Sequence, residues 1–154
     1  MRKIKLISAC LIGIKCRYDG RSKICLKAKK LFEREKIIPV CPEQLGGLPT
    51  PRIPSEVVNG NGTGVIKGKN KVIDKNGKNV TAKFLKGAQE TLKIAKAVGA
   101  QEFIGKSKSP SCGAGFTYDG TFSNKLLEGD GVTAALLKSQ GIRAITEKDL
   151  DLDV

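Results

Sequence analysis

Apolar residues in this chain form short unbroken runs, and between the runs they recur every three or four positions. KIKLISA (3–9) is a continuous run of the kind a buried strand requires, and KIIPVC (36–41), EFIGK (102–106) and IRAIT (142–146) repeat the pattern. Residues 24–36 place Ile24, Ala28, Leu31 and Phe32 near one face of a helix. From Thr81, a good N-cap, the positions Phe84, Leu85, Ala88, Leu92 and Ala95 predict an amphipathic helix that stops at Gly99. VTAALLKSQ (132–140) predicts another, closed by Gly141, while GVIKGKNKVIDKNG (64–77) alternates and reads as a solvent-facing hairpin. Strands separated by helices of this length predict an α/β fold. Its form is a single-domain three-layer sandwich over 1–154, Rossmann-like, with a mainly parallel sheet and helices on both faces. In such sheets ligands collect beyond the carboxyl ends of the strands.

Composition narrows the picture only a little. At 154 residues, with 40% apolar and 28% charged positions, the chain is one ordinary domain able to bury a core. No stretch approaches the ~20 continuous apolar residues of a membrane span. The basic-then-apolar start runs directly into KCRYDGRSK, so it predicts a first strand rather than a targeting segment, and a cytoplasmic setting. In a reducing cytosol five cysteines, an odd number, read as ligands or core residues rather than disulfides. The net charge of +13 is uneven: residues 1–36 hold 12 Lys/Arg against 3 Asp/Glu, and the remainder 16 against 12. KAKK (27–30) is either a solvated helix face or an attraction for an anionic substrate such as a nucleotide or RNA. Seven aromatic residues are too few for an extended single-strand stacking platform.

Candidate chemistry sits in three dense runs, SACLIGIKCRYDG (8–20), CPEQLGGLPTPR (41–52) and SPSCGAGFTYDG (109–120). Each places a thiol (Cys10, Cys41, Cys112) beside Gly, Pro or Ser just after a predicted strand, where reactive groups are displayed. Histidine is absent, which removes the usual imidazole base and the mixed Cys/His zinc sites, and no paired CxxC occurs. Separated thiols sharing one rim suggest a soft-metal site. Cys25 falls on the 24–36 helix and reads as a half-buried helix residue. Cys16 is close enough to Cys10 to line the site. The repeated YDG at 18–20 and 118–120 reads as shared turn chemistry, with Asp19 and Asp119 holding loops.

These runs, together with EGDGVTAALL (128–137), strongly resemble the small thiouracil desulfurases over essentially the whole chain, most weakly in the 58–80 segment. The resemblance implies hydrolytic removal of sulfur from thiolated uracil (2- or 4-thiouracil, thiouridine or its nucleotide). It also implies a 4Fe-4S cluster held by three cysteines, with one iron left open. Three thiolates rather than four would leave that position free, and a soft thione sulfur suits iron. Cys10, Cys41 and Cys112 are the expected ligands, with Cys16 a possible additional site thiol. Hydrolysis needs a base, and Glu43, which the resemblance also indicates, lies two residues after Cys41. Ser109 is placed to hydrogen-bond the water or the tetrahedral centre. Ser111 and the Gly113–Gly115 amides are candidates to receive an anionic ring oxygen or phosphate. Lys108 stands where the resemblance leads one to expect arginine, a better bidentate partner. Desulfuration of thiolated uridine in tRNA, and a non-catalytic iron–sulfur or sulfide carrier, are the alternatives.

Overall fold

The computed structural model describes residues 3–152. In chain order its elements are β1 (Ile4–Ser8), a 3-10 turn (Ala9–Ile12), α1 (Leu26–Arg34), β2 (Ile37–Val40), α2 (Pro42–Leu45), β3 (Ser55–Val58), α3 (Gly62–Ile66) and β4 (Lys71–Asp74). The chain continues through α4 (Thr81–Val98), β5 (Ala100–Gly105), β6 (Phe116–Tyr118), β7 (Leu126–Glu128), α5 (Val132–Ser139), β8 (Arg143–Thr146) and a second 3-10 segment (Glu147–Leu152). Four strands form one sheet in the order β2-β1-β5-β8, all parallel, flanked by helices as the apolar runs predicted.

Alternation along these strands divides the core. Leu6, Phe103 and Ala144 turn to one face and pack with Ala95 of α4 and Ala134 and Leu137 of α5. Ile7, Ile104 and Ile37 turn to the other, against Ala28 of α1 and Leu150. Pro39 lies in β2, which pairs only with β1. An edge strand tolerates a residue that cannot donate to a ladder.

The chain leaves β1 through α1 to reach β2, then returns past β1 through α4 to β5. Winding therefore reverses between β1 and β5. A crevice opens at such a reversal, beyond the carboxyl ends of the strands.

The predicted 64–77 hairpin is corrected. Its first arm is α3, capped by the Asn61 side chain, which accepts the Gly64 N–H at 3.2 Å. Its second arm, β4, pairs antiparallel with β3, a strand the periodicity did not reveal. Val57, Val65 and Val72 are buried together there against Phe84 and Ala88 of α4, so this segment is a second small core rather than a solvated ribbon. Two helix ends also shift. α1 begins only at Leu26, leaving Ile24 outside it and exposed. Val80 rather than Thr81 occupies the N-cap position of α4, with no side-chain capping bond, and the Thr81 hydroxyl accepts the Val72 N–H.

α2 rests directly on α4. A Cβ on Gly46 would collide with the Lys83 carbonyl, and one on Gly87 with the Pro42 carbonyl. Both obstacles are backbone and cannot swing aside. Gly87→Ala is therefore expected to destabilise the fold by about 1–3 kcal/mol, despite alanine's better helix propensity. Urea unfolding measures this, and a stabilised variant would show that the two helices part without cost.

Candidate metal centre

The turn after each of β1, β2 and β5 carries one of the sequence-predicted thiols to the same rim. Cys10 lies in the 3-10 turn that continues β1, and Cys16 follows in the loop. Cys41 is the N-cap of α2, with Pro42 starting the helix and Glu43 in its first turn. Cys112 follows β5, in a turn that Ser109 organises by accepting the Ser111 N–H (3.2 Å) and the Cys112 N–H (3.0 Å) on its hydroxyl. Cys10 and Cys16 pack with the α1 face and Cys112 with the α4/α5 face, so thiols reach the rim from both sides of the sheet.

The thiols interact with one another. Cys16 lies within hydrogen-bonding reach of the Cys10 and Cys41 thiols, and Cys41 Sγ also donates to the Cys16 carbonyl at 3.7 Å. Contact with Cys10, followed by burial, pushes Cys16 up to about 11, with the Cys41 contact acting the other way. Contact with Cys16, then burial, drives Cys41 far above the ordinary thiol range. Burial pushes Cys112 up to about 12, against hydrogen bonds from Ser8 and Ser109. Ser8 is fixed in turn, since its hydroxyl accepts the Lys106 N–H at 2.9 Å. In the metal-free site these sulfurs are neutral at physiological pH, so a metal would have to displace their protons.

Glu43 is gripped by a residue that sequence reasoning left unassigned. Arg52 Nε donates to Glu43 Oε1 at 3.0 Å, and the arginine side chain is only 5% exposed. Its Nη2 donates to the Cys16 carbonyl (2.9 Å), and its Nη1 to Pro49 O (3.3 Å) and Thr50 Oγ1 (3.1 Å). The only signal was its place at the end of CPEQLGGLPTPR. Its partner Cys16 lies 36 positions away, outside any local motif.

Other expected site residues are placed differently. The Ser111 hydroxyl is buried against Thr133 Oγ1 at 2.8 Å. The Gly113 N–H is taken by the Ser109 carbonyl (2.9 Å) and the Gly115 N–H by Asp130 Oδ1 (3.0 Å). The two glycine amides expected to receive an anion are thus consumed in building the turn. Lys108 is exposed at the rim with φ 67, held by a bridge to Thr117. Cys25 is half-buried at the N-cap of α1. Asp19 and Asp119 close their own turns by accepting the Arg21 and Thr121 N–H groups. Glu56 pins the second YDG turn by accepting from Gly120 and Phe122.

Among the described residues, no three Cys, Asp or Glu side chains converge on a point where a single ion could be gripped. Soft donors on one rim, in a chain with no histidine and no paired CxxC, fit an iron–sulfur group better than zinc. The 2-thiouracil desulfurase family model matches residues 6–149. This chain belongs to that family. It is 47% identical over 146 residues to the uncharacterised protein YbbK of Bacillus subtilis strain 168, covering 95% of this chain and 97% of YbbK. It also superposes with TM-score 0.84 on the solved structure of TudS, a 4Fe-4S-dependent thiouracil desulfidase, at 37% identity over 99% of this chain and 95% of TudS.

The raised thiols set a pH dependence in the metal-free protein. Folded Cys16 and Cys112 keep their protons to about 11 and 12, whereas an unfolded thiol releases its proton near 9.0. Stability is thus fully present below pH 9.0 and lost as pH rises through that window, because the folded state binds more protons. Thermal midpoints of iron-free protein should fall from about pH 9 upwards, and Cys112→Ser should flatten the fall. A midpoint that stays level over that range contradicts the burial argument.

Proposed function

We propose that this chain hydrolyses the C–S bond of a thiolated uracil. A 4Fe-4S cluster would be held by Cys10, Cys41 and Cys112, with Glu43 the general base. The observation that carries the reading is that the turns after β1, β2 and β5 bring three thiols and one oriented carboxylate to a single rim. Family membership and the TudS likeness support it. When bound, the cluster would supply a soft Lewis acid for the thione sulfur and a site for the departing hydrosulfide.

The protein's own groups perform the rest. Glu43 takes a proton from water as its oxygen forms a bond to the ring carbon bearing sulfur. The C–S bond then breaks with its electron pair on sulfur, so thiouracil and water become uracil and hydrogen sulfide. No electron donor is needed. Arg52 spends all its nitrogens on Oε1 of Glu43, on Cys16 and on the Pro49–Thr50 turn, which leaves Oε2 for the water. Ser109, already accepting two N–H bonds, has its one hydroxyl proton to give to Cys112 Sγ or to the new oxygen. Cys16 acts as a supporting thiol between Cys10 and Cys41.

Anaerobic reconstitution should give about four iron and four sulfide per chain, as in the 4Fe-4S dependence of TudS. Cys10→Ala, Cys41→Ala and Cys112→Ala should each lose them. A cluster that survives loss of Cys41 but not of Cys16 would overturn this ligand set. Glu43→Gln should keep the iron and lose turnover by about 10²–10⁴-fold. The assay is ultraviolet-monitored sulfide release from thiolated bases, nucleosides, nucleotides and thiouridine-bearing tRNA. Iron-loaded protein that releases sulfide from none of them refutes the activity.

A further inference from the structure

We infer that Arg52 is a positioning residue, which fixes the Glu43 carboxylate at the rim and ties the Cys10–Cys16 loop to the Cys41 turn. This rests on the reading of Glu43 as the base.

Burial makes the case. An exposed ion pair would contribute little to stability, but the Arg52 side chain is 5% exposed and that of its Glu43 partner 17%. A buried guanidinium must satisfy its fork of donors, and Arg52 does so on four acceptors from three places: Glu43, the Cys16 carbonyl, and the Pro49 and Thr50 oxygens. Its own N–H also donates to the Tyr18 carbonyl at 2.8 Å, so the backbone joins the same two loops. The Cys41 thiol also meets this loop, at the Cys16 thiol and at the Cys16 carbonyl (3.7 Å), but these are weak sulfur contacts. The guanidinium is thus the strong link among the side chains that join the thiol-bearing loop after β1 to the carboxylate-bearing turn after β2.

Among the described residues Glu43 has no comparable second anchor. It sits in the first turn of a helix of only four residues, and Arg52 holds it by Oε1. Without the guanidinium the carboxylate can swing to solvent, and Oε2 no longer has a fixed direction. Lysine would restore the charge but cannot reproduce the fork, since an ammonium is a point charge with three donors. Misplacement on the ångström scale at a reacting group costs on the order of 10²-fold in rate.

The test is a double-mutant cycle on iron-loaded and iron-free protein with R52M, R52K, E43Q and the double variants. Iron content of R52M should stay at the unsubstituted level. Its kcat should fall roughly 10–100-fold while KM changes less than about threefold. In the E43Q background, R52M should remove less than about threefold more, because the group it positions is already gone. In iron-free protein the two substitutions should also be coupled in thermal midpoint, the double variant falling no further than the worse single one. R52K should fold and load iron yet remain impaired, and it replaces R52M in the cycle if R52M does not fold. Additive losses in kcat or in midpoint, or iron loss in proportion to activity, would overturn the inference and reduce Arg52 to a scaffold residue. Unchanged turnover in E43Q would instead overturn the Glu43 reading itself, and the positioning role with it, whatever R52M does.

Discussion

β1 is the constraint on which this structure depends. Its five residues pair in parallel with β2 on one edge and β5 on the other, and its alternating Leu6 and Ile7 enter opposite cores. Because the chain winds away from it in both directions, the three strand ends carrying Cys10, Cys41 and Cys112 become neighbours although the thiols are spread over two-thirds of the sequence. Nothing local in the three runs would bring them together. The parallel ladder does, and a slip of one residue in β1 would exchange its two cores and turn the Cys10 loop away.

The second organising device is backbone-to-backbone packing. α2 is four residues long and could not persist alone, yet it carries Cys41 at its cap and Glu43 in its first turn. It persists because Gly46 and Gly87 let its carbonyls and those of α4 approach without side chains between them. Gly105 and Gly131 do the same beneath the third turn, where a Cβ would strike the Cys112 and Ser111 carbonyls. The site thus stands on rigid contacts. The polar groups that sequence reasoning offered as ligand receptors, Ser111 and the glycine amides, are part of that support.

The sheet and its thiols were legible in the sequence because both leave short-range signatures: buried strands are continuous apolar runs, and strand-end thiols sit among Gly, Pro and Ser. The 58–80 segment was not, because its structure is set by distant partners. β4 alternates as a hairpin arm would, but its partner is β3, and α3 is fixed by the Asn61 cap and by the approach of Gly62 to the Gly131 backbone. Arg52 escaped for the same reason. Its role is defined by Cys16 and Glu43, one far away in sequence and the other close, with no local pattern that pairs either with Arg52.

Electrostatics joins these levels. Burial and mutual contact hold Cys16, Cys41 and Cys112 protonated, so an empty site carries little negative charge of its own. Thiolates appear only when a metal compensates them, and the site then acquires charge and metal together. Glu43 would face that charge at close range, since it already contributes to raising Cys41 and Cys112. A carboxylate so placed would be repelled from the rim if its only tether were a short helix. The Arg52 guanidinium, donating at once to Glu43 and to the carbonyl of the thiol-bearing loop, opposes that repulsion where it arises. Cation, carboxylate and thiols therefore form one electrostatic unit, in which the basic group holds the carboxylate in place against the charge that the sulfurs acquire.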